Sequence, residues 1–318
     1  MPFDLSDYEY YLCSATLMCA MLGMGATLTV SDFRKVAQAP GAIAWILFLQ
    51  LVISPCLALL LARLFAVPPG VAFGMIIVSA LPGGLFSNVM AYMGGGNVAL
   101  SVAATSVATV GCIVTTTMVL KIFGTAQLPP GFQMPIGGIF ADIGVNMLLP
   151  LAIGLVVRRV AAEKAPHLCR FCARASLVLL AVYVVAFLAS GRFSLAEYGL
   201  RTPLALLALG VIMVWLSYLV GRLARLSIDD TFTIAAEVLF RNAYLGVMLK
   251  ASLFPANDPA RSALGEGALF AVLLYGGISL GVAVAEVTAK RRGWGVYARR
   301  GDSAALEPEA TPEQSKSA

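Results

Sequence analysis

In the middle of one long apolar stretch, TFTIAAEVLFRNAYLGVMLKASLF, stand Glu237, Arg241 and Asn242. A charge at the centre of a bilayer costs about 2.5–3.5 kcal/mol on insertion scales, so such groups face the interior of a bundle and by default do chemistry there. A second apolar stretch, GVAFGMIIVSALPGGLFSNVMAYMGGG, carries Pro82-Gly83-Gly84 at its centre, with Ser87 and Asn88 directly after. On the next stretch Ser101 and Thr105 stand four residues apart, so on a helix their hydroxyls share a face. Hydroxyl, amide and carboxylate oxygens in this combination suit a hard cation such as sodium, whereas soft transition metals would want sulfur or imidazole. If both stretches are interrupted, the exposed half-helix ends add N–H groups for anions and carbonyls for cations.

Each residue also has a plainer role. Serine and threonine in membrane helices often bond their own backbone or pack small interfaces, and Asn88 or Gln50 could tie helices together. Asp142 and Asn146 lie near the end of their segment and read as structural. Glu286 and Lys290 read as an i, i+4 pair at a helix end. Cys169-Arg170-Phe171-Cys172, with His167 before it, has the spacing of a metal site but lacks a second pair and reads as a loop. The other cysteines sit in apolar stretches as small hydrophobes. No enzyme is indicated, because the single histidine, His167, has no partner motif.

The elements that must position these groups are membrane helices. The chain is 59% hydrophobic and 12% charged, with a mean hydropathy of +0.87; a soluble domain carries about 25% charged residues. Apolar blocks near 10–30, 40–63, 70–94, 97–122, 136–158, 175–191, 202–221, 231–252 and 267–289 predict about nine spans. The net charge of +5 does not mark a nucleic-acid binder, since the basic residues sit between blocks and at the end of the chain. Arg34 and Lys35, Arg158 and Arg159, Arg222 and Arg225, and the run from Lys290 to Arg292 all fall on one side. That side is then cytoplasmic, with the N-terminus outside the cell membrane. The start, MPFDLSDYEYY, lacks the basic region of a cleavable signal. Residues 1–292 form the transmembrane domain, and 293–318 read as a disordered cytoplasmic tail. The two peculiar segments enter from opposite sides with one span before and after each, as in inverted repeats with crossing discontinuous helices.

PGGLFSNVMAYMGGGNVALSVAATSVATV (residues 82–110) resembles the signature of the bile acid:sodium symporter family. MLGMGATLTVSDFRKV (21–36), LQLVISP (49–55) and EVLFRNAYL (237–245) are similar to that family too. The resemblance implies a core domain (about 40–122 and 202–289) and a panel domain (about 10–30 and 136–191), with an organic anion bound between them and sodium coupled to its transport. It implies one sodium site at Ser87, Asn88, Ser101, Thr105 and Glu237. It implies a second at Gln50, Glu237, Val238, Phe240 and position 241, where the family's glutamine is replaced by Arg241. Arginine has donors and no acceptor, so it cannot ligate sodium. The expectation is that its guanidinium takes that cation's place and pairs with Glu237, or captures the substrate's carboxylate or sulfonate. Substrate is expected at Gly84, Leu85, Arg241 and Asn242. Leu85, Ala243 and Tyr244 depart from the small residues the family has there, which leaves the substrate open. A proton-coupled or efflux-type anion transporter of the same architecture, or a non-transporting ligand sensor, are the alternatives.

Overall fold

The computed structural model describes residues 8–29, 40–129, 131–189, 195–254 and 259–297. Arg34, Lys35 and the tail beyond 297 lie outside these residues. The described chain is helical, with no strand among the described residues: α1 (Glu9–Gly25), α2 (Pro40–Leu64), α3 (Pro69–Ala80), α4 (Leu85–Met93) and α5 (Val98–Val119) are followed by α6 (Ile136–Val160), α7 (Ala165–Ala189), α8 (Arg201–Leu223), α9 (Ile228–Leu239), α10 (Ala243–Leu253) and α11 (Pro259–Arg292). Among the described residues, seven helices are long and apolar enough to cross a membrane, with α9 and α10 taken as one stretch. The difference from the nine apolar blocks lies in α1, which has 17 residues, and in the α3–α4 segment, which is split into short pieces.

Both interruptions have local causes. Pro82 has no N–H to continue α3, and the chain runs extended from Leu81 (ψ 143°) to Gly84 (φ −118°, ψ 175°) before α4 begins. No proline breaks the second stretch. There Phe240 turns extended (ψ 131°) and the Asn242 side chain accepts the Leu245 N–H at 3.2 Å, restarting the helix as an N-cap. Prolines also explain π-turns: Leu49–Ile53 precedes Pro55, and Gly144–Leu148 precedes Pro150. Each proline leaves a carbonyl four residues back without its usual donor.

Small residues set the closest helix contacts. A Cβ added to Gly74 of α3 would lie 2.7 Å from the Ala268 Cα and carbonyl oxygen of α11, and one on Gly25 of α1 would collide with the Leu151 carbonyl of α6. Dispersion between closely approaching backbones is what holds helices together where lipid is as apolar as the side chains.

One expectation is corrected. α7 begins at Ala165, so His167, Cys169 and Cys172 lie on a helix and not in a loop. Arg170 and Arg174, four apart on its exposed face, made its first turns look like a polar break.

Replacing Gly74 by Val is expected to destabilise the protein by about 1–3 kcal/mol, since backbone on α11 cannot step aside. Gly41→Val, with nothing within 4 Å of its added Cβ, should leave the thermal midpoint unchanged.

Candidate functional site

The two interruptions touch. The Asn242 N–H donates to the Pro82 carbonyl at 3.0 Å, and a Cβ on Gly83 would sit 2.5 Å from Glu237 Oε2. Glycine at 83 therefore lets the first break close over the carboxylate of the second stretch.

Glu237, at the end of α9, is fully buried. Its Oε1 accepts from Ser101 Oγ at 2.5 Å and from Thr105 Oγ1 at 3.0 Å; Oε2 lies 2.9 Å from the Thr105 hydroxyl. Ser101 Oγ is also 2.7 Å from Asn88 Oδ1. Ser87 donates to the Gly84 carbonyl at 2.6 Å and lies 3.4 Å from Thr105 Oγ1. All five residues expected at the first cation position are thus together. A hydroxyl has one hydrogen, so Ser101 cannot serve both Asn88 Oδ1 and Glu237 Oε1. The cluster holds more acceptor lone pairs than hydrogens, and no lysine or arginine nitrogen among the described residues lies within 4.0 Å of the carboxylate. These hydroxyl, amide and carboxylate oxygens are the donor set that could hold a small hard cation.

The second expected position is differently built. Val238 and Phe240 are buried at the end of α9. The Gln50 amide, from the π-turn of α2, donates to the Glu237 carbonyl at 2.8 Å, and its Oε1 is buried without a partner. Arg241 does not pair with Glu237, which corrects the expectation. Its guanidinium donates to the Leu81 carbonyl at 3.2 Å and to Ser54 Oγ at 3.0 Å, with Nε unpartnered. It caps the broken end of α3, where a helix C-terminus presents partial negative charge. The neighbouring carbonyls are also taken: Ala80 by the Thr116 hydroxyl (2.7 Å) and Leu239 by the Tyr275 hydroxyl (2.9 Å).

A cavity of ≈ 240 Å³ lies between α1 and α7 on one side and the start of α4 and α10 on the other. Gly84, Arg241 and Asn242 line it, as expected for substrate; the Leu85 side chain lies outside what the structure describes. Asn242 Nδ2 reaches Met21 Sδ of α1 at 3.9 Å. Cys169, Ser176 and Tyr244 also line the cavity. Sequence reasoning missed Cys169 and Ser176, because nothing in the pattern says which face of α7 turns inward, whereas Tyr244 stands beside the expected substrate position in the sequence. The lining is mainly apolar, from Met21, Phe86, Val89 and Leu177 among others. The N-terminus of α4 opens onto it with no side-chain cap, its Ser87 N–H bonding the Gly84 carbonyl at 3.1 Å, and a helix N-terminus carries partial positive charge suited to an anion.

A second polar cluster was also missed. Lys250, near the end of the apolar block 231–252, counts in the sequence with the basic residues of the outer side, yet it is 2% exposed. Its Nζ lies 2.8 and 2.9 Å from the two carboxylate oxygens of Glu9 on α1 and 3.5 Å from Glu266 on α11. The Tyr183 hydroxyl of α7 donates to Glu9 at 2.5 Å. Nearby, Asp142 of α6 accepts from Tyr10 (2.6 Å) and from Ser252. Glu9 and Met21 are separated by about 18 Å of helix at 1.5 Å per residue, so this cluster closes the bundle at the end away from the cavity.

Residues 15–198 match the sodium bile acid symporter family. An uncharacterized sodium-dependent transporter of Bacillus subtilis (strain 168), YocS, is 29% identical over 244 residues, which are 77% of this chain and 75% of that protein. A probable chloroplastic sodium/metabolite cotransporter of Oryza sativa subsp. japonica is 30% identical over 238 residues, 74% of this chain and 57% of its own length. Sodium/bile acid cotransporter 4 of Homo sapiens is 26% identical over 209 residues, 65% of this chain and 47% of its own. The chain thus spans about half the length of the last two. The family match ends before Glu237, so that half of the site rests on the geometry.

Lys250→Ala leaves the Glu9 carboxylate buried without its cation and is expected to destabilise the protein by about 3–5 kcal/mol. A Glu9→Gln, Lys250→Met double variant should recover most of that loss in thermal unfolding, because the buried pair is removed together and only the more exposed Glu266 loses a neighbour.

Proposed function

This chain belongs to the sodium bile acid symporter family, and from that premise we propose that it is a sodium-coupled symporter of an organic anion, working by alternating access. The observation that carries the reading is Glu237, a carboxylate at zero exposure among hydroxyl and amide oxygens, with no lysine or arginine nitrogen among the described residues within 4.0 Å of it. Sodium binds among Ser87, Asn88, Ser101, Thr105 and Glu237, supplying the charge that the hydroxyl hydrogens do not.

In this reading α1 and the α3–α4 segment also cross the bilayer, giving nine spans, with the N-terminus outside and the C-terminus cytoplasmic. The broken segments are the crossing helices of two inverted repeats. Residues of about 40–122 and 202–289 form the core; about 10–30 and 136–191 form the panel. The anion enters the apolar cavity with its charged head at the α4 N-terminus and Asn242, and its hydrocarbon against Met21 and Phe86. In the state described here the Glu9–Lys250 cluster shuts the outer end. Its two members stand on panel and core, so they must part when the cavity opens outward.

Arg241 takes the second cation's place, held by the Leu81 carbonyl and Ser54 and not by Glu237. One sodium is then coupled per cycle. Carried with a monovalent anion, it moves no net charge, so the membrane potential, worth about 2.3 kcal/mol per charge per 100 mV, adds nothing to the drive.

Glu237→Ala is expected to abolish sodium-dependent uptake in reconstituted vesicles while the protein still inserts; undiminished uptake would remove the carboxylate from the mechanism. Replacing sodium by choline at constant pH should stop wild-type uptake, and persistence in choline would favour proton coupling through the same acid. Uptake plotted against sodium concentration should give a Hill coefficient of one, with no response to an imposed potential for a monoanion. A coefficient clearly above one would restore a second sodium.

A further inference from the structure

Far from the crossing, a groove of ≈ 340 Å³ lies between α8, α11 and the short helical turn Gly295–Tyr297 that follows α11. Trp215, Tyr218, Trp294 and Tyr297 ring it, and Glu286 sits among them. Glu286 Oε2 lies 2.9 and 2.8 Å from the Tyr218 and Tyr297 hydroxyls, which also contact each other. Among the described residues no side chain or backbone group bonds its Oε1, and no lysine or arginine nitrogen stands within 4.0 Å. Lys290, one turn on, does not pair with it, being directed to Asp229 at 2.7 Å and the Gly95 carbonyl at 2.9 Å. The groove is therefore an aromatic box around a half-buried, cation-free carboxylate.

Its surroundings identify what would fill it. Along α8 and α11 the flanks are exposed and apolar, with Val211, Trp215, Leu280 and Val284 turned outward as lipid-facing residues are. The last turn of α11 is basic, which places the groove at headgroup level. At the rim the Arg292 guanidinium lies 4.8 Å over the Trp294 ring. An anion in the box, a cation at the rim and apolar flanks are the complement of a zwitterionic phospholipid.

We propose that this groove binds a phosphatidylethanolamine headgroup from the bilayer. The primary ammonium sits in the box on Glu286 Oε1 and the phenol oxygens, the phosphate meets Arg292, and the acyl chains run along α8 and α11. A primary ammonium is favoured over a quaternary one because the box offers acceptors, which N–H groups can bond and N-methyl groups cannot. The aromatic faces add cation–π attraction. Conductivity of the transport pathway plays no part in this, so the site stands whether or not the bundle carries sodium.

The test uses the purified full-length chain in detergent, with phosphatidylethanolamine, phosphatidylcholine or phosphatidylglycerol of identical acyl chains added before thermal unfolding. Phosphatidylethanolamine should raise the midpoint by about 2–4 °C more than the other two. Glu286→Gln should erase that preference while leaving the response to phosphatidylglycerol unchanged. Native mass spectrometry should find phosphatidylethanolamine retained on the wild type and lost from Trp294→Ala. Equal shifts from all three lipids, or a preference that survives in Glu286→Gln, would overturn the assignment.

Discussion

A helix broken inside an apolar bundle frees backbone groups that hydrocarbon cannot satisfy, and each left unpaired costs about 1–3 kcal/mol. Against a total stability of about 5–15 kcal/mol for a typical protein, two breaks could not be tolerated unless their loose ends were met. Here they meet each other. The Pro82 carbonyl takes the Asn242 N–H, Leu81 takes the Arg241 guanidinium, Ala80 takes Thr116, Glu237 takes Gln50 and Leu239 takes Tyr275. Each break is stabilised by groups that the other break, or a helix packed against it, supplies. Neither is an independent feature, and a change at one is felt at the other.

The second break also decides the fate of two charges. Glu237 and Arg241 are four residues apart, and on an unbroken helix they would share a face and pair. Because α9 stops at Leu239 and the chain runs extended through Phe240, the guanidinium turns to the end of α3 while the carboxylate stays with the hydroxyls. Had the helix continued, the acid would already be neutralised, leaving no role there for the proposed sodium. The interruption keeps two opposite buried charges in separate compartments a few residues apart.

Much of this was legible in the sequence, for identifiable reasons. Pro82-Gly83-Gly84 announces a break because proline removes a donor and glycine permits close approach, and a mid-span Glu237 announces an interior site because of its cost in lipid. Ser101 and Thr105 share a face by simple helical spacing. What was not legible depends on rotation and tertiary pairing. Lys250 counts with the basic residues of the outer side near the end of an apolar block; only the fold shows Glu9, more than two hundred residues earlier, reaching it. Arg170 and Arg174 disguised the start of α7, so Cys169 looked like a loop residue when it lines the cavity. The pairing of Arg241 with Glu237 was expected because Arg241 stands at the second cation position that the family resemblance implies, and sequence does not show that the break turns the guanidinium to the end of α3.

In the alternating-access cycle proposed above, the Glu9–Lys250 pair has properties suited to a closure that must open. A purely apolar plug gains about 25 cal/mol for every Å² removed from water and forfeits all of it when water returns. A buried ion pair behaves otherwise: the attraction between its members is largely offset by the hydration they give up, so the pair as a whole contributes little net stability even though removing one member is severe. When both members are wetted together, hydration replaces what the contact supplied, and the closed and open arrangements stay near in free energy. Tyr183 holds Glu9 on the side of α7, and Glu266 stands beside Lys250 on the side of α11. In that proposed cycle each charge would therefore keep a neighbour when the two were drawn apart.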